Sequence, residues 1–391
     1  MVGDAGTATD AGVRYGRYHP AMDFELSEDQ LALRDAASDL LSSRADPARV
    51  RAVVDAGGGW DRALWADLCA QGWPGIAVPE SAGGIGLGWV EAAVLLESVG
   101  AHLAPAPILG QMVALDALVD AAATGSGSTM SPWVERLIAG DAIAAAAFRP
   151  LRADRNERGD WTLRGRTEPV PFAPSADVAV VRASDANATD SGADALFLVE
   201  LAAHRPVAEP VMDRTREVGR MELDGVSAVR IGGSDAALAH VDRGAVAYSA
   251  ELLGAAARCL DVTVEYARDR VQFGRPIGSF QAVKHRCADM LVDVEGMRST
   301  AWWAAWCLSV ADDETSIAAS TAKAWCSDAA DRVLNSTLQV HGGIGFTWEC
   351  DVHLYLKRVQ LDRVSFGNAA FHRDRLAGLL RARVESGVGV I

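Results

Sequence analysis

The sequence predicts an α+β protein in which a helical domain, a β domain and a C-terminal four-helix bundle follow one another along the chain. Apolar residues recur every three to four positions near the beginning and again from about residue 238, which is typical of amphipathic helices. Between these parts, short runs rich in Val, Leu and Thr are separated by Gly, Pro, Asp and Ser, which is typical of strands. We therefore expect a loose leader over 1–23, a helical domain over 24–135, a β domain over 136–237 and the bundle over 238–391.

The N-terminal domain begins with a recognisable helix start. Ser27 precedes Glu28, Asp29 and Gln30, so its hydroxyl can cap a helix whose first turn carries acidic residues. Further helices are predicted over Trp60–Cys69 and Trp89–Val99. The glycine-rich run GGIGLG stands between helices and does not follow a strand, so we interpret it as a connector and not as a dinucleotide-binding turn.

The β domain is indicated by runs at hairpin spacing. They read IAAAAFRP, DWTLRGRTEPVPF, ADVAVVRA, ADALFLVEL and GRMELDGVSAVRI. The bundle follows as long helical segments, predicted over Val241–Arg270, Phe280–Val310, Glu314–Gly342 and from Asp351 onward. Helices of this length without an internal repeat favour a four-helix bundle that also packs on other subunits.

Composition limits the classes of function. The net charge of −15 argues against nucleic-acid binding, which needs a basic face. The longest apolar stretches, such as Ala142–Phe148, are too short to span a bilayer, and the beginning of the chain lacks the pattern of a secretory signal. The six cysteines are widely spaced, so we expect free thiols, no metal site and a cytoplasmic protein.

The segment RVQFGRPIGSFQAVKHR is the first candidate site. Arg270 ends a predicted helix, Phe273 lies in a turn, and Gln281 opens the next helix. Guanidinium groups bind phosphate oxygens, aromatic rings stack on purines, and amides bond to hydroxyl groups, so the segment has the chemistry to hold a dinucleotide. An ordinary helix hairpin with solvated charges explains the same composition.

The segment QVHGGIGF is the second candidate site. Gly342 and Gly343 permit close approach of the backbone to a ligand, and Gln339 lies one helical turn earlier. A glycine cap that ends the preceding helix is the alternative interpretation of this segment.

The pattern R-x-x-F-G-x-P-I-x-x-F-Q, followed about sixty residues later by Q-x-x-G-G-x-G-F, resembles the acyl-CoA dehydrogenase family. The segments VPESAGGIGLG, MDRTREVGRMELDGV and VEYARDRVQFG add to the resemblance, which covers almost the whole chain beyond the leader. It implies an N-terminal helical domain, a middle β-barrel domain, a C-terminal four-helix bundle and a tetramer built as a dimer of dimers.

The resemblance also implies a cofactor and a reaction. FAD is expected between the β domain and the bundle, with its ADP half held by the neighbouring subunit through residues that match Arg270, Phe273, Gln281, Gln339 and the Gly342–Gly343 pair. The implied reaction is α,β-dehydrogenation of an acyl-CoA thioester, which is a reaction of lipid metabolism. A carboxylate takes the α proton, the β hydride passes to the flavin, and an electron-transferring flavoprotein is the expected acceptor.

The usual catalytic glutamate has no counterpart in this sequence. Phe366 stands at its position, and the alternative position on the first bundle helix is Gly244, with Asp242 nearby. Glu251, two turns further along that helix, is the remaining candidate base. In an apolar helix its pKa would be raised, although a structural ion pair with an arginine is the alternative interpretation.

Two segments that should contact the flavin ring also depart from the family pattern. FRPLRADRNERGD stands in place of a Thr-Glu-Pro-Gly-Ala-Gly-Ser-Asp-like loop, and EPVPFAPSAD stands in place of a Trp-Ile-Thr-Asn-like strand. Prolines disturb regular strand pairing, and the second segment has them at positions 169, 171 and 174. The sequence therefore predicts a poor pocket for a flavin ring belonging to this chain.

Three hypotheses follow. The leading one is a subunit of a heterotetrameric acyl-CoA dehydrogenase that clamps a partner's FAD, because FG-x-A-x-x-H-R resembles the non-basic subunits of actinobacterial α2β2 enzymes of sterol side-chain degradation. The second is a self-sufficient homo-oligomeric dehydrogenase that uses Glu251. The third is a flavin-free scaffold subunit.

Overall fold

The structure, a computed structural model, describes residues 25–185 and 194–387, and the side chains of these residues except 125–128 and 185. The predicted leader over 1–23 lies outside the described residues. No helix in the described ranges is long and apolar enough to cross a membrane.

The N-terminal part is helical. Its helices are α1 (Glu28–Arg44), α2 (Pro47–Asp55), α3 (Arg62–Ala70), α4 (Trp89–Ala101), α5 (Ile108–Ala121) and α6 (Gly127–Ala139). Ser27 caps α1 as predicted, because its Oγ accepts from the Gln30 amide at 3.2 Å while its own amide donates to Gln30 Oε1 at 3.0 Å. The glycine-rich connector lies between α3 and α4, as expected.

A closed β-barrel follows. Its strands are β1 (Ala144–Ala146), β2 (Leu151–Arg155), β3 (Trp161–Arg166), β4 (Val170–Pro171), β5 (Val178–Asp185), β6 (Asp194–Glu200), β7 (Val218–Gly219) and β8 (Glu222–Gly232). The ladder runs from β2 to β3, β8, β6 and β5, and the parallel pairing of β5 with β2 closes it. Side chains such as Leu163, Val181 and Phe197 fill the interior.

The C-terminal part contains long helices. They are α7 (Ser234–Asp269), α8 (Gln281–Ser309), α9 (Thr315–His341), α10 (Val352–Asp362) and α11 (Ala369–Glu385), with the two-residue strands β9 (Val271–Gln272) and β10 (Arg275–Pro276) between α7 and α8. Helices α7, α8, α9 and α11 form the predicted four-helix bundle. The helix predicted from Asp351 onward is broken into α10 and α11, because Phe366 and Gly367 adopt φ values of +52° and +92°.

One apolar core joins the N-terminal helices to the bundle, while the barrel has its own. Helices α4 and α7 cross in backbone contact at two glycines. A Cβ on Gly100 would lie 2.0 Å from the carbonyl oxygen of Glu251, and a Cβ on Gly254 would lie 1.8 Å from that of Glu97. Helix gives way to strand between Ala139 and Ala144, and strand to helix between Gly232 and Ser234. The domain boundaries placed at 135/136 and 237/238 remain predictions.

Candidate functional site

The two candidate segments lie at the same end of the bundle. Tyr266, near the end of α7, stacks on His341 at the end of α9, with ring centroids 4.4 Å apart and planes 17° from parallel. The chain then continues from the two helices into the Arg270 hairpin and the Gly342 turn, respectively. Residues that are far apart in sequence are therefore neighbours in the fold.

The first segment forms a tight hairpin. Strands β9 and β10 pair through Gln272 and Arg275, leaving Phe273 and Gly274 as a two-residue turn with φ values of +52° and +77°. The Phe273 side chain is 92% exposed. Its backbone is also strained, because it is a non-glycine residue in the left-handed region. Arg270 and Gln281, at the two ends of the hairpin, are exposed as well. A strained, solvent-facing aromatic ring between polar side chains favours contact with a molecule outside the chain.

The second segment is both a helix cap and an open surface. The amide of Gly342 donates to the Leu338 carbonyl, so the predicted glycine cap is present, and its φ of +63° requires glycine. A Cβ at Gly342 or Gly343 would have no heavy atom within 4 Å, and Gln339 is exposed beside them. The residues expected to hold the ADP half of FAD therefore all face solvent, and their guanidinium, amide and backbone N–H groups have the chemistry to bind a phosphate-bearing ligand.

The two positions where a catalytic base was expected lie against each other. A Cβ at Gly244 would lie 1.9 Å from Phe366 Cδ1, so the ring of Phe366 fills the space a side chain would need. Phe366 is only 3% exposed, and its ring centroid lies 5.9 Å from Phe148, 5.2 Å from His240 and 5.7 Å from Tyr248. We call these four residues, Phe148, His240, Tyr248 and Phe366, the aromatic plug.

Two neutral histidines fix the backbone around the plug. His240 Nε2 donates to the Ala147 carbonyl at 3.0 Å, and His372 Nε2 donates to the Phe366 carbonyl at 2.8 Å. Burial lowers the pKa of each imidazole to about 3. Both side chains therefore act as neutral hydrogen-bond donors, and neither has the pKa of a general base at neutral pH.

The two segments that depart from the family pattern bond to each other. The Glu168 carboxylate accepts from the amides of Phe148 and Arg149 at 2.5 and 3.0 Å, and Arg182 Nη1 donates to the Phe148 carbonyl at 2.9 Å. The proline-rich segment makes the short strand β4, which pairs with β7 outside the closed barrel, and a 3-10 helix over Ala173–Ser175. The two segments therefore satisfy each other's polar groups, and the poor pocket for a flavin ring remains a prediction.

Glu251 lies in a buried ion-pair network. Its side chain is 0% exposed, its Oε1 accepts from Arg358 Nη1 at 2.7 Å, and it also bonds to Arg216. Arg358 Nε bonds to Asp213 at 2.8 Å, and Arg216 Nη1 bonds to Asp362 at 2.7 Å. These contacts match the structural interpretation of Glu251, and its catalytic role remains a prediction.

Asp242 also makes structural contacts. It accepts from Arg375 on α11 at 2.5 Å and from the Ser316 hydroxyl on α9 at 2.6 Å, so it ties three bundle helices together. Sequence reasoning did not find the partners of Glu251, nor Glu168, His240 and His372. Their partners lie many residues away, and single buried polar residues carry no sequence signal of the contacts they make.

Comparisons with known proteins agree with this architecture. The family description "Acyl-CoA dehydrogenase, N-terminal domain" matches residues 27–141, and "Acyl-CoA dehydrogenase, C-terminal domain" matches residues 232–380. The chain is 35% identical to acyl-CoA dehydrogenase IpdE2 of Mycolicibacterium smegmatis over 85% of this chain and 93% of that protein. It is also 35% identical to acyl-CoA dehydrogenase FadE27 of Mycobacterium tuberculosis over 91% of this chain and 98% of that protein. The chain belongs to the acyl-CoA dehydrogenase family, whose members are FAD-dependent oxidoreductases acting on CH–CH bonds.

Solved structures support the same fold. A chain of the ChsE4–ChsE5 complex from Mycobacterium tuberculosis superposes with a TM-score of 0.83 at 33% identity, covering 92% of this chain and 99% of that one. A chain from a variant of the Tcur3481–Tcur3483 steroid acyl-CoA dehydrogenase matches with a TM-score of 0.83 at 29% identity, covering 92% of this chain and 99% of that one. Both neighbours are complexes of two differently named chains.

Proposed function

We propose that this chain is the subunit of a heterotetrameric acyl-CoA dehydrogenase that holds the ADP half of a partner's FAD. We call the residues that would hold it, Arg270, Phe273, Gln281, Gln339, Gly342 and Gly343, the clamp. The observation that carries the proposal is the packing of Phe366 against Gly244. These are the two positions at which the family's catalytic base was expected, and neither residue can accept a proton. The outward-facing residues that match the family's ADP-binding set are retained. A second, homologous subunit then supplies the base and the contacts to the flavin ring. The structural neighbours that consist of two different chains support this arrangement.

The proposed reaction is α,β-dehydrogenation of an acyl-CoA thioester in the cytoplasm, with an electron-transferring flavoprotein as the acceptor. FAD supplies the hydride-accepting ring. This chain's own part is binding and orientation. The Arg270 guanidinium would hold phosphate oxygens, the Phe273 ring would stack on the adenine, and the amides of Gln281 and Gln339 would bond to polar groups of the cofactor.

Co-expression tests the proposal. The chain is expressed alone and together with a homologous acyl-CoA dehydrogenase subunit encoded beside it. FAD is measured by its visible absorbance, and acyl-CoA oxidation is measured with an artificial electron acceptor. We expect bound FAD and activity only in the co-expressed complex. Arg270→Ala should weaken FAD binding at least tenfold, because hydrogen bonds between charged groups contribute about 1.5–3 kcal/mol. Arg268→Ala, an exposed arginine at the same helix end, is the matched control.

The two other hypotheses predict different outcomes. If the chain alone bound FAD and oxidised acyl-CoA, and Glu251→Gln abolished that activity without changing thermal stability, it would be a self-sufficient enzyme. If the co-expressed complex stayed colourless, it would be a scaffold. The ion pairs of Glu251 lead us to expect a third result, in which Glu251→Gln lowers the stability of the fold.

A further inference from the structure

We propose that Arg51, on α2 of the N-terminal domain, is a positioning residue for the FAD clamp. The inference rests on the proposed function, because it concerns the loop that follows Gly342 and Gly343. It assigns a role in cofactor binding to a domain that contributes none of the clamp residues named above.

Arg51 joins the N-terminal domain to the end of this loop. Its Nε and Nη2 each lie 2.7 Å from Asp351 Oδ1, and its Nη1 donates to the Trp348 carbonyl at 2.5 Å. The Arg51 side chain is 22% exposed, so these contacts are partly shielded from water. A planar guanidinium can bind a carboxylate and a carbonyl at once, which a lysine ammonium does less well.

The loop between these anchors is open. Gly342, Gly343 and Ile344 are exposed, as are all residues from Phe346 to Glu349, with Phe346 72% and Trp348 47% exposed. Its short-range hydrogen bonds include those from Thr347 to Ile344 at 3.0 Å and from Cys350 to Thr347 at 3.3 Å. Residues Gly342–Phe346 form a 3-10 helix, so the part of the loop that depends most on contacts from outside is the exposed stretch from Thr347 to Glu349.

The two ends are held by different parts of the molecule. At the bundle end, His341 stacks on Tyr266, and its Nδ1 donates to the Thr337 carbonyl at 2.8 Å. At the other end, Arg51 bonds to the Trp348 carbonyl and to Asp351, while the Trp348 ring stacks on His353 of α10 with ring centroids 4.8 Å apart. Ordering a loop opposes ligand binding through lost conformational entropy, so a loop ordered in advance binds more tightly. Arg51 therefore raises the affinity for FAD without contacting it.

The test uses the co-expressed complex with Arg51→Ala, Arg51→Lys and Asp351→Asn in this chain. Arg49→Ala is the matched control, because Arg49 lies on the same helix, is 48% exposed and pairs with Asp46 at 3.4 Å. The Kd for FAD is measured by fluorescence titration of the flavin-free complex. Hydrogen–deuterium exchange is followed over 342–351, and kcat is measured at saturating FAD.

We expect Arg51→Ala and Asp351→Asn to raise the Kd for FAD about tenfold, because the loop would then adopt its binding conformation only about a tenth of the time. Exchange over 342–351 should become faster, kcat at saturating FAD should stay within twofold of wild type, and Arg51→Lys should recover part of the affinity. A Kd unchanged by both variants would overturn the inference. If Arg270→Ala still raised the Kd in that experiment, the proposed function would stand; if Arg270→Ala also had no effect, the proposed function itself would fail.

Discussion

At the scale of residues, Gly244 and Phe366 depend on each other. The Phe366 ring occupies the volume of a side chain at position 244, and its backbone takes the left-handed conformation, which is strained for phenylalanine. Close packing with Phe148, His240 and Tyr248 holds the ring in this position. The Phe366 ring therefore belongs to the packed core. A glutamate at position 366 would bury a charge in that packing.

Substitution of two helical glycines tests this packing. We expect Gly244→Ala to lower the free energy of unfolding by about 1–3 kcal/mol, because the new methyl group overlaps the Phe366 ring. Gly378→Ala, on the exposed face of α11 with no heavy atom within 4 Å of its Cβ, should raise it by up to about 1 kcal/mol. Urea denaturation measures both. Equal effects of the two changes would contradict the assigned packing, and Phe366→Leu should relieve part of the Gly244→Ala defect.

At the scale of elements, hydrogen bonds from three side chains fix two loops of the β domain and one turn of the bundle. Glu168 joins the segment before β4 to the segment after β1, His240 joins α7 to Ala147, and His372 joins α11 to the turn that carries Phe366. Each of these bonds connects segments that surround the aromatic plug. The plug therefore depends on histidines that stay neutral in the folded chain.

Acid should weaken this arrangement in a defined pH window. Each imidazole has a pKa of about 3 in the fold and about 6.5 when unfolded. Between those values the unfolded chain binds more protons, so each histidine lowers the stability by about 1.4 kcal/mol per pH unit as the pH falls below about 6.5.

Unfolding measured by urea between pH 7.5 and about pH 5.5 checks this expectation. Replacing His240 and His372 together by Gln should make the stability less dependent on pH across the window. His204 is exposed, so His204→Gln should leave the change of stability with pH the same as in the wild-type protein. A slope that is the same in all three proteins would show that the buried histidines are not the titrating groups.

At the scale of the whole molecule, the order of helices, strands and bundle could be predicted because periodicity and turn residues act locally. The start of α1 at Ser27 and the long bundle helices followed from the same local signals. The family resemblance implied a β-barrel, but local signals did not predict that β2 and β5 close it. Nor did they predict the shared core of the N-terminal helices and bundle or the contact of Gly244 with Phe366. They depend on which distant segments meet, and a single sequence does not record that.

The end of the bundle that carries the clamp also exposes a group of apolar side chains. Val271, Phe273, Ile344, Phe346 and Trp348 are between 47% and 92% exposed there. Apolar side chains grouped on a surface mark interaction sites, since their burial is favourable. In the proposed heterotetramer this end would meet the partner and its FAD.

Hydrogen–deuterium exchange of the chain alone and in the co-expressed complex tests that arrangement. We expect protection to rise over 271–281 and 342–351 on assembly, because the hairpin and the loop lose contact with water and gain partners. The hairpin β2–β3, over 151–166, is the internal control and should exchange equally in both states. Removing FAD from the complex should reverse part of the protection at both clamp segments, since the proposed arrangement puts the cofactor between them and the partner. If protection appeared along α8 and α9 while the clamp segments exchanged as in the free chain, assembly would use another face and the flavin would not be shared.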